Sequence, residues 1–172
     1  MARPKIEMPL RLVSFSEDMI SRGMRPGAID ISRRTIPADA RLARLFEVEE
    51  GTMIHVIERL RTADGEPMAI ERAHILASLA PDLLDRRLAD RSLYGVLEAV
   101  YGIVFDAGDQ TIEAGLADAT EAKRLQIPRG SAVLLLQRRS YMNGVCAELG
   151  VSTYRADRYQ IRTALGNRPS RG

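Results

Sequence analysis

A charged hairpin is predicted for the run Ile54-His55-Val56-Ile57-Glu58-Arg59-Leu60-Arg61-Thr62-Ala63-Asp64-Gly65-Glu66-Pro67-Met68-Ala69-Ile70-Glu71-Arg72-Ala73. Two apolar-rich segments flank Asp64-Gly65, a dipeptide typical of a tight turn, because both central positions of that turn require a positive φ. A turn without a bulge places Glu58 opposite Glu71, which is unfavourable, whereas one extra residue places Arg59 opposite Glu71. We therefore predict paired strands in the bulged register.

The two faces of this hairpin differ in chemistry. Because side chains alternate along a strand, Arg59 and Arg61 lie on one face while Val56 and Leu60 lie on the other. The apolar face predicts a core. The arginine face has two interpretations on sequence alone, a solvated surface with cross-strand ion pairs or an anion-binding pocket.

The hairpin belongs to a unit that occurs twice. The segment Ala38–Gly51 recurs as Ala117–Gly130, with the same spacing of alanines and an offset of 79 residues. The same offset carries Asp64-Gly65 onto Asn143-Gly144, another favoured turn. Each copy has one apolar sheet face, and joining the copies into one core buries both faces. The sequence therefore predicts an α+β fold with an internally duplicated helix-hairpin unit.

A seam between two such units favours a ligand pocket. The copies differ at positions where a ligand would bind, so any site there is asymmetric. Three aligned pairs describe this region: Arg59 with Arg138, Arg61 with Ser140, and Ala69 with Glu148.

Two short helices with serine caps are also predicted. Ser14 and Glu17 have the spacing of a capping box. Between the two copies, Ser92 is typical of an N-cap and Gly102 of a helix end. A serine at a helix start either caps the helix only or helps to hold an anion, and Tyr94 either packs or reaches a pocket.

Composition limits the classes of function. The 172 residues carry a net charge of +2, with 45% hydrophobic and 28% charged residues, the balance of a soluble globular protein. That charge is too small to indicate nucleic-acid binding, and no segment approaches the roughly 18 apolar residues that cross a membrane. We expect a cytoplasmic protein. Cys146 is the only cysteine, and we expect no metal, no cofactor and no catalytic constellation.

Four motifs resemble those of a known family. The first is Ser14-Phe15-Ser16-Glu17-Asp18-Met19, and the second is Arg59-Leu60-Arg61 together with Ala63–Met68 and Glu71. The third is Ser92-Leu93-Tyr94, and the fourth is Tyr154-Arg155-Ala156-Asp157-Arg158-Tyr159. Together they resemble the effector-binding (UTRA) domain of GntR-type transcriptional regulators of the HutC subfamily. The resemblance implies a ligand-binding domain over residues 9–165. We expect residues 1–8 to be a linker or arm and residues 166–172 to be a frayed tail.

The resemblance implies a chorismate-lyase-like fold, with a six-stranded antiparallel sheet and helices, and a homodimer. Family members that sense N-acetylglucosamine-6-phosphate or glucosamine-6-phosphate hold the phosphate at a serine-capped helix start and at strand arginines. The matching positions are Ser14, Phe15, Ser16, Arg59 and Arg61, with Ser92 and Tyr94 nearby. The positions implied for the sugar are Glu71, Glu148 and Tyr154.

Three functional hypotheses follow. The first is a non-catalytic sensor that binds a phosphorylated amino sugar or a related anionic metabolite. The second is an enzyme similar to chorismate lyase, and the third is a dimerisation module without a ligand. Regulators of this family normally carry a winged helix-turn-helix domain before the sensor. We find no such segment in this chain and expect it to contact DNA only through a domain outside the chain.

Overall fold

The computed structural model describes residues 4–88 and 92–164. The strands are β1 (Ile6–Glu7), β2 (Pro26–Pro37), β3 (Met53–Ala63), β4 (Glu66–Leu76), β5 (Ala107–Leu116), β6 (Ala132–Met142), β7 (Val145–Arg155) and β8 (Tyr159–Gln160). The helices are α1 (Phe15–Ser21), α2 (Ala40–Phe46), α3 (Leu93–Tyr101) and α4 (Ala119–Leu125), with a 3-10 turn at Leu83–Asp85. The expected frayed tail lies outside the described residues.

A six-stranded antiparallel sheet forms the centre of the fold, in the order β2-β3-β4-β7-β6-β5. This confirms the predicted α+β class. A separate parallel pair joins β1 to β8, so part of the predicted N-terminal linker is tied to the last strand.

The hairpin β3-β4 has the predicted bulged register. Asp64 and Gly65 have φ values of 50° and 81°, as this turn type requires. Arg59 lies opposite Glu71, and the register shifts next to Arg61. The bulge therefore places opposite charges, rather than two glutamates, across from each other.

The duplication is confirmed and is larger than the sequence indicates. The elements α2, β3 and β4 recur as α4, β6 and β7, each starting 79 residues later. In addition, each half begins with a serine-capped helix and an edge strand, α1 with β2 and α3 with β5. The halves meet where β4 pairs with β7, and we call this pair the seam.

Helices cover both faces of the sheet. On one face, α2 packs on Ile54 and Val56, and α4 packs near Ile70. On the other face, α3 packs on Ile57 and α1 packs beside Ala63. The arginines of β3 point to this second face, as their alternation with Ile57 and Ala63 requires. The interpretation of the arginine face as a solvated surface is therefore wrong.

Candidate ligand-binding site

A cavity lies between the sheet and the helices α1 and α3, at the seam. Eight of the ten residues singled out in the sequence line it: Ser14, Phe15, Arg59, Arg61, Glu71, Tyr94, Glu148 and Tyr154. Ser16 lies behind the wall and accepts a hydrogen bond from Arg61. Ser92 lies outside this cavity, because its side chain caps α3 by accepting from the backbone N–H of Gly95.

Two arginines share one carboxylate in the first half of the cavity. Arg59 Nη2 donates to Glu71 Oε2 at 3.0 Å, and Arg61 Nη1 donates to the same oxygen at 2.9 Å. Although burial opposes ionisation, the two guanidinium groups lower the pKa of Glu71 to about 2. Burial also lowers the pKa of Arg59, whose side chain is only 1% exposed. Glu71 is therefore a carboxylate at every physiological pH.

The start of α1 fixes the position of Arg61. The Ser14 side chain accepts from the backbone N–H of Glu17, and the Glu17 side chain accepts in return, which confirms the capping box. The helix presents Phe15, whose ring lies 4.6 Å from the Arg61 guanidinium carbon. Ser16 Oγ accepts from Arg61 Nη2 at 2.8 Å. Stacking and hydrogen bonding thus hold the arginine fork in one orientation.

A second carboxyl group lies in the other half of the cavity. Ser140 Oγ donates to Glu148 Oε2 at 2.6 Å, and the Tyr94 hydroxyl donates to the same oxygen at 3.0 Å. Burial raises the pKa of Glu148 to about 7, although both hydrogen bonds favour the ionised form. Burial also raises the pKa of Tyr94, so its hydroxyl keeps its proton. This carboxyl group therefore titrates near neutral pH.

Several polar residues that line the cavity were not predicted from the sequence. Arg138 and Gln110 line it, as does Asp18, which is paired with Arg22 at 2.9 Å. One signal was available for Arg138, because the 79-residue offset aligns it with Arg59. Gln110 on the edge strand β5 carries no comparable pattern.

The two halves of the cavity repeat one pairing with different chemistry. In the first half Phe15 stacks on Arg61, and in the second the Tyr94 hydroxyl lies 3.2 Å from Ser140 Oγ and shares Glu148 Oε2 with it as acceptor. Both pairs join a helix start to a strand position that is related by the duplication. The first half therefore has two guanidinium groups on one carboxylate, whereas the second half has Arg138 together with the hydroxyls of Tyr94 and Ser140 around Glu148.

Three further kinds of feature outside the cavity would bear on function: metal-binding clusters, the cysteine thiol and membrane-spanning helices. Within the described residues, no group of three or more His, Cys, Asp and Glu side chains is arranged to hold a metal ion. Cys146 is buried, and burial raises its pKa to about 11, which keeps the thiol protonated. In residues 4–88 and 92–164, no helix is long and apolar enough to cross a membrane.

The fold and the cavity define an α+β domain with a polar, charged cavity between its two halves. Residues 21–160 match the family model of the UTRA domain. The chain belongs to this family, the effector-binding domain of GntR-type regulators, and the predicted resemblance is confirmed.

Named relatives support this assignment. The chain is 39% identical to the HTH-type transcriptional repressor NagR of Bacillus subtilis over 92% of its length, and it spans 65% of NagR. It is 33% identical to the repressor PhnF of Mycolicibacterium smegmatis, over 95% of this chain and 67% of PhnF. The crystal structure of the PhnF effector domain superposes with a TM-score of 0.87 at 30% identity, covering 94% of this chain and all of that one. These relatives are transcription regulators, so the chain is a regulatory rather than an enzymatic domain.

Proposed function

We propose that this domain senses a phosphorylated amino sugar, such as N-acetylglucosamine-6-phosphate, and so modulates the DNA binding of a GntR-type regulator. The observation that carries the proposal is the charge of the cavity. Two guanidinium groups share Glu71, and a third belongs to Arg138. The likeness to the repressor NagR supports an amino sugar as the ligand class.

The charges favour an anion over a neutral sugar. Asp18 is already paired with Arg22, and Glu148 carries less than a full negative charge at neutral pH, because its pKa is about 7. Three arginines therefore exceed the ionised carboxylates in the lining. A phosphate monoester carries a charge of about −1.5 to −2 at pH 7, and arginine forks bind it through charge-assisted hydrogen bonds.

The remaining polar groups suit the hydroxyls of a sugar. Glu71 and Glu148 offer carboxyl oxygens that accept from hydroxyl groups. Tyr154 stays protonated and can donate, because burial raises its pKa, and the Tyr94 oxygen, whose proton is directed to Glu148, can accept. Tyr154 packs edge-to-face against Tyr159, with their ring centroids 4.8 Å apart. A cavity lined in this way argues against a module without a ligand.

The wider assembly is part of the same proposal. We propose a homodimer in which ligand binding selects one arrangement of two sensor domains, and DNA contact through a winged helix-turn-helix domain outside this chain. Sedimentation velocity with and without ligand measures the dimer directly. A monomer at all concentrations would contradict the assembly but not the ligand site.

Isothermal titration calorimetry tests the ligand class. The panel is N-acetylglucosamine-6-phosphate, glucosamine-6-phosphate, N-acetylglucosamine and chorismate, each with wild type, Arg61→Ala and Arg44→Ala. Arg61→Ala removes charge-assisted hydrogen bonds worth about 1.5 to 3 kcal/mol. We therefore expect its affinity for the two sugar phosphates to be at least about tenfold lower than that of wild type. Arg44 is exposed on α2, and its variant serves as the matched control.

Two outcomes would contradict the proposal. If the free sugar binds as tightly as its phosphate, the phosphate assignment is wrong. If both variants lose affinity equally, the arginine cluster is not the ligand site.

A further inference from the structure

A short segment, residues 8–13, closes one side of the cavity, and we call it the strap. Met8, Pro9 and Val13 line the ligand cavity. The three residues between them, Leu10, Arg11 and Leu12, line a second depression on the outer side, against β5. The strap is therefore the wall between the ligand cavity and the second depression.

The strap is held at its two ends. At its start, the backbone N–H of Met8 donates to the carbonyl oxygen of Gln160 at 2.8 Å. At its other end, Leu12 lies so close to Gly108 that a Cβ on the glycine would be 2.9 Å from Leu12 Cδ2. Residues 8–13 contain no helix or strand. Release of the second end would therefore free the strap without unfolding a regular element.

Arg138 makes the polar contact at that second end. Its Nη1 donates to the carbonyl oxygen of Val13 at 3.2 Å, and its Nε and Nη2 donate to Gln110 Oε1 at 2.9 and 2.8 Å. Both of these acceptors are uncharged, and Arg138 forms no salt bridge within the ranges that the structure describes, although the Tyr94 hydroxyl and the Glu148 carboxyl also interact with its guanidinium. Arg138 and Gln110 also line both the ligand cavity and the outer depression.

We propose that Arg138 is a further ligand-binding residue, which exchanges the Val13 carbonyl for an acceptor oxygen of the ligand and thereby releases the strap. The inference rests on the proposed function for the identity of the ligand. An anionic or strongly dipolar oxygen is a better partner for this half-buried guanidinium than a peptide carbonyl at 3.2 Å. The exchange is favourable because the guanidinium charge gains a charged or more polar partner.

The position of the strap gives this exchange a mechanical consequence. The strap follows β1 directly, and β1 pairs with β8, which carries the cavity residue Tyr159. Release at Val13 leaves the strap held by the β1-β8 pair at one end and by the start of α1 at the other. Ligand binding is thereby converted into freedom of the segment that joins β1 to α1.

Limited proteolysis measures the strap directly, because the exposed Arg11 is a trypsin site within it. The rate of cleavage after Arg11 is followed by mass spectrometry for wild type, Arg138→Gln and the control Arg139→Gln. Arg139 is the neighbouring arginine, which pairs with Asp109 on the surface. Without ligand, we expect cleavage of Arg138→Gln to be about tenfold faster than cleavage of wild type, and cleavage of Arg139→Gln to be unchanged. A tenfold change corresponds to the loss of one hydrogen bond to a charged group.

The same assay with N-acetylglucosamine-6-phosphate tests the exchange. We expect ligand to accelerate cleavage in wild type and to leave Arg138→Gln unchanged, with weaker binding by that variant in calorimetry. Ligand that binds wild type but slows cleavage after Arg11 overturns the inference. If wild type binds no sugar phosphate, the proposed function fails, and inorganic phosphate then serves as the probe. An unchanged cleavage rate with bound phosphate likewise overturns the exchange.

A second variant covers the case in which Arg138→Gln does not fold. Leu12→Ala loosens the strap on Gly108 and leaves the guanidinium in place. We expect faster basal cleavage and ligand binding that is at least as tight as in wild type, because less contact is broken on release. Weaker binding by Leu12→Ala would show that the closed strap holds the ligand, contrary to the exchange.

Discussion

Glu148 gives the domain a pH-dependent stability that a single isosteric change removes. Its pKa of about 7 in the folded protein lies above the ordinary value of 4.5. Between these two pH values the folded state retains a proton that the unfolded chain has released. Stability from this group is therefore present below pH 4.5, falls as the pH rises, and is constant above about 7.

The magnitude follows from the size of the shift. Each unit is worth 1.36 kcal/mol, so the full effect is about 3 kcal/mol, of which about 2 to 3 kcal/mol lies between pH 5 and pH 8. Glu148→Gln cannot ionise, and its amide oxygen still accepts from Ser140 and Tyr94, the two donors to Oε2. The variant should lack this decline while keeping the hydrogen bonds.

Urea denaturation at pH 5 and pH 8 provides the measurement. The free energy of unfolding of Glu148→Gln relative to wild type should rise by about 2 to 3 kcal/mol between these two pH values. Other titrating groups cancel in this comparison, including His74, whose pKa is lowered by burial and whose contribution has the opposite sign. An equal difference at both pH values would refute the reasoning.

Two further predictions concern stability, and each is measured by urea denaturation. Glu71→Gln leaves Arg59 and Arg61 without their shared carboxylate, and we expect a loss of about 3 kcal/mol at pH 7. Because the pKa of Glu71 is about 2, wild type also loses this stability as the pH falls from 4.5 towards 2. If the free energy of unfolding of Glu71→Gln fell by the same amount over this pH range, the prediction would be contradicted. Gly65→Ala strains a turn position at φ 81° and should cost about 1 to 2 kcal/mol. Its control, Gly95→Ala inside α3, has room for a Cβ and should stabilise by up to about 1 kcal/mol, so equal losses in the two variants would argue against backbone strain.

The central hairpin could be predicted from local chemistry. Asp64-Gly65 fixed the turn, and the repulsion between Glu58 and Glu71 decided the register, because cross-strand neighbours interact directly. The repeated spacing of alanines and turn residues indicated the duplication without any structural information. These signals lie within short segments, where sequence spacing and distance in space agree.

The cavity was only partly predictable, since it joins segments that are distant in the chain. Arg138 had a signal through its alignment with Arg59, but its contact with Val13 spans 125 residues. The strap has no periodicity, and β1 and β8 are two residues each, too short to produce a pattern. Ser92 shows the opposite case, because the capping motif was correct while its place relative to the cavity depended on the orientation of α3.

The seam between β4 and β7 also has a consequence for local unfolding. Among the described residues, it is the strand pairing that joins the two three-stranded halves of the sheet. Partial opening of the domain would separate the halves there, and a molecule held by Glu71 and Glu148 would bridge the gap. Amide hydrogen exchange in β4 and β7 should then slow more on ligand binding than exchange in the edge strands β2 and β5. The bound ligand would stabilise the contact between the two copies of the duplicated unit.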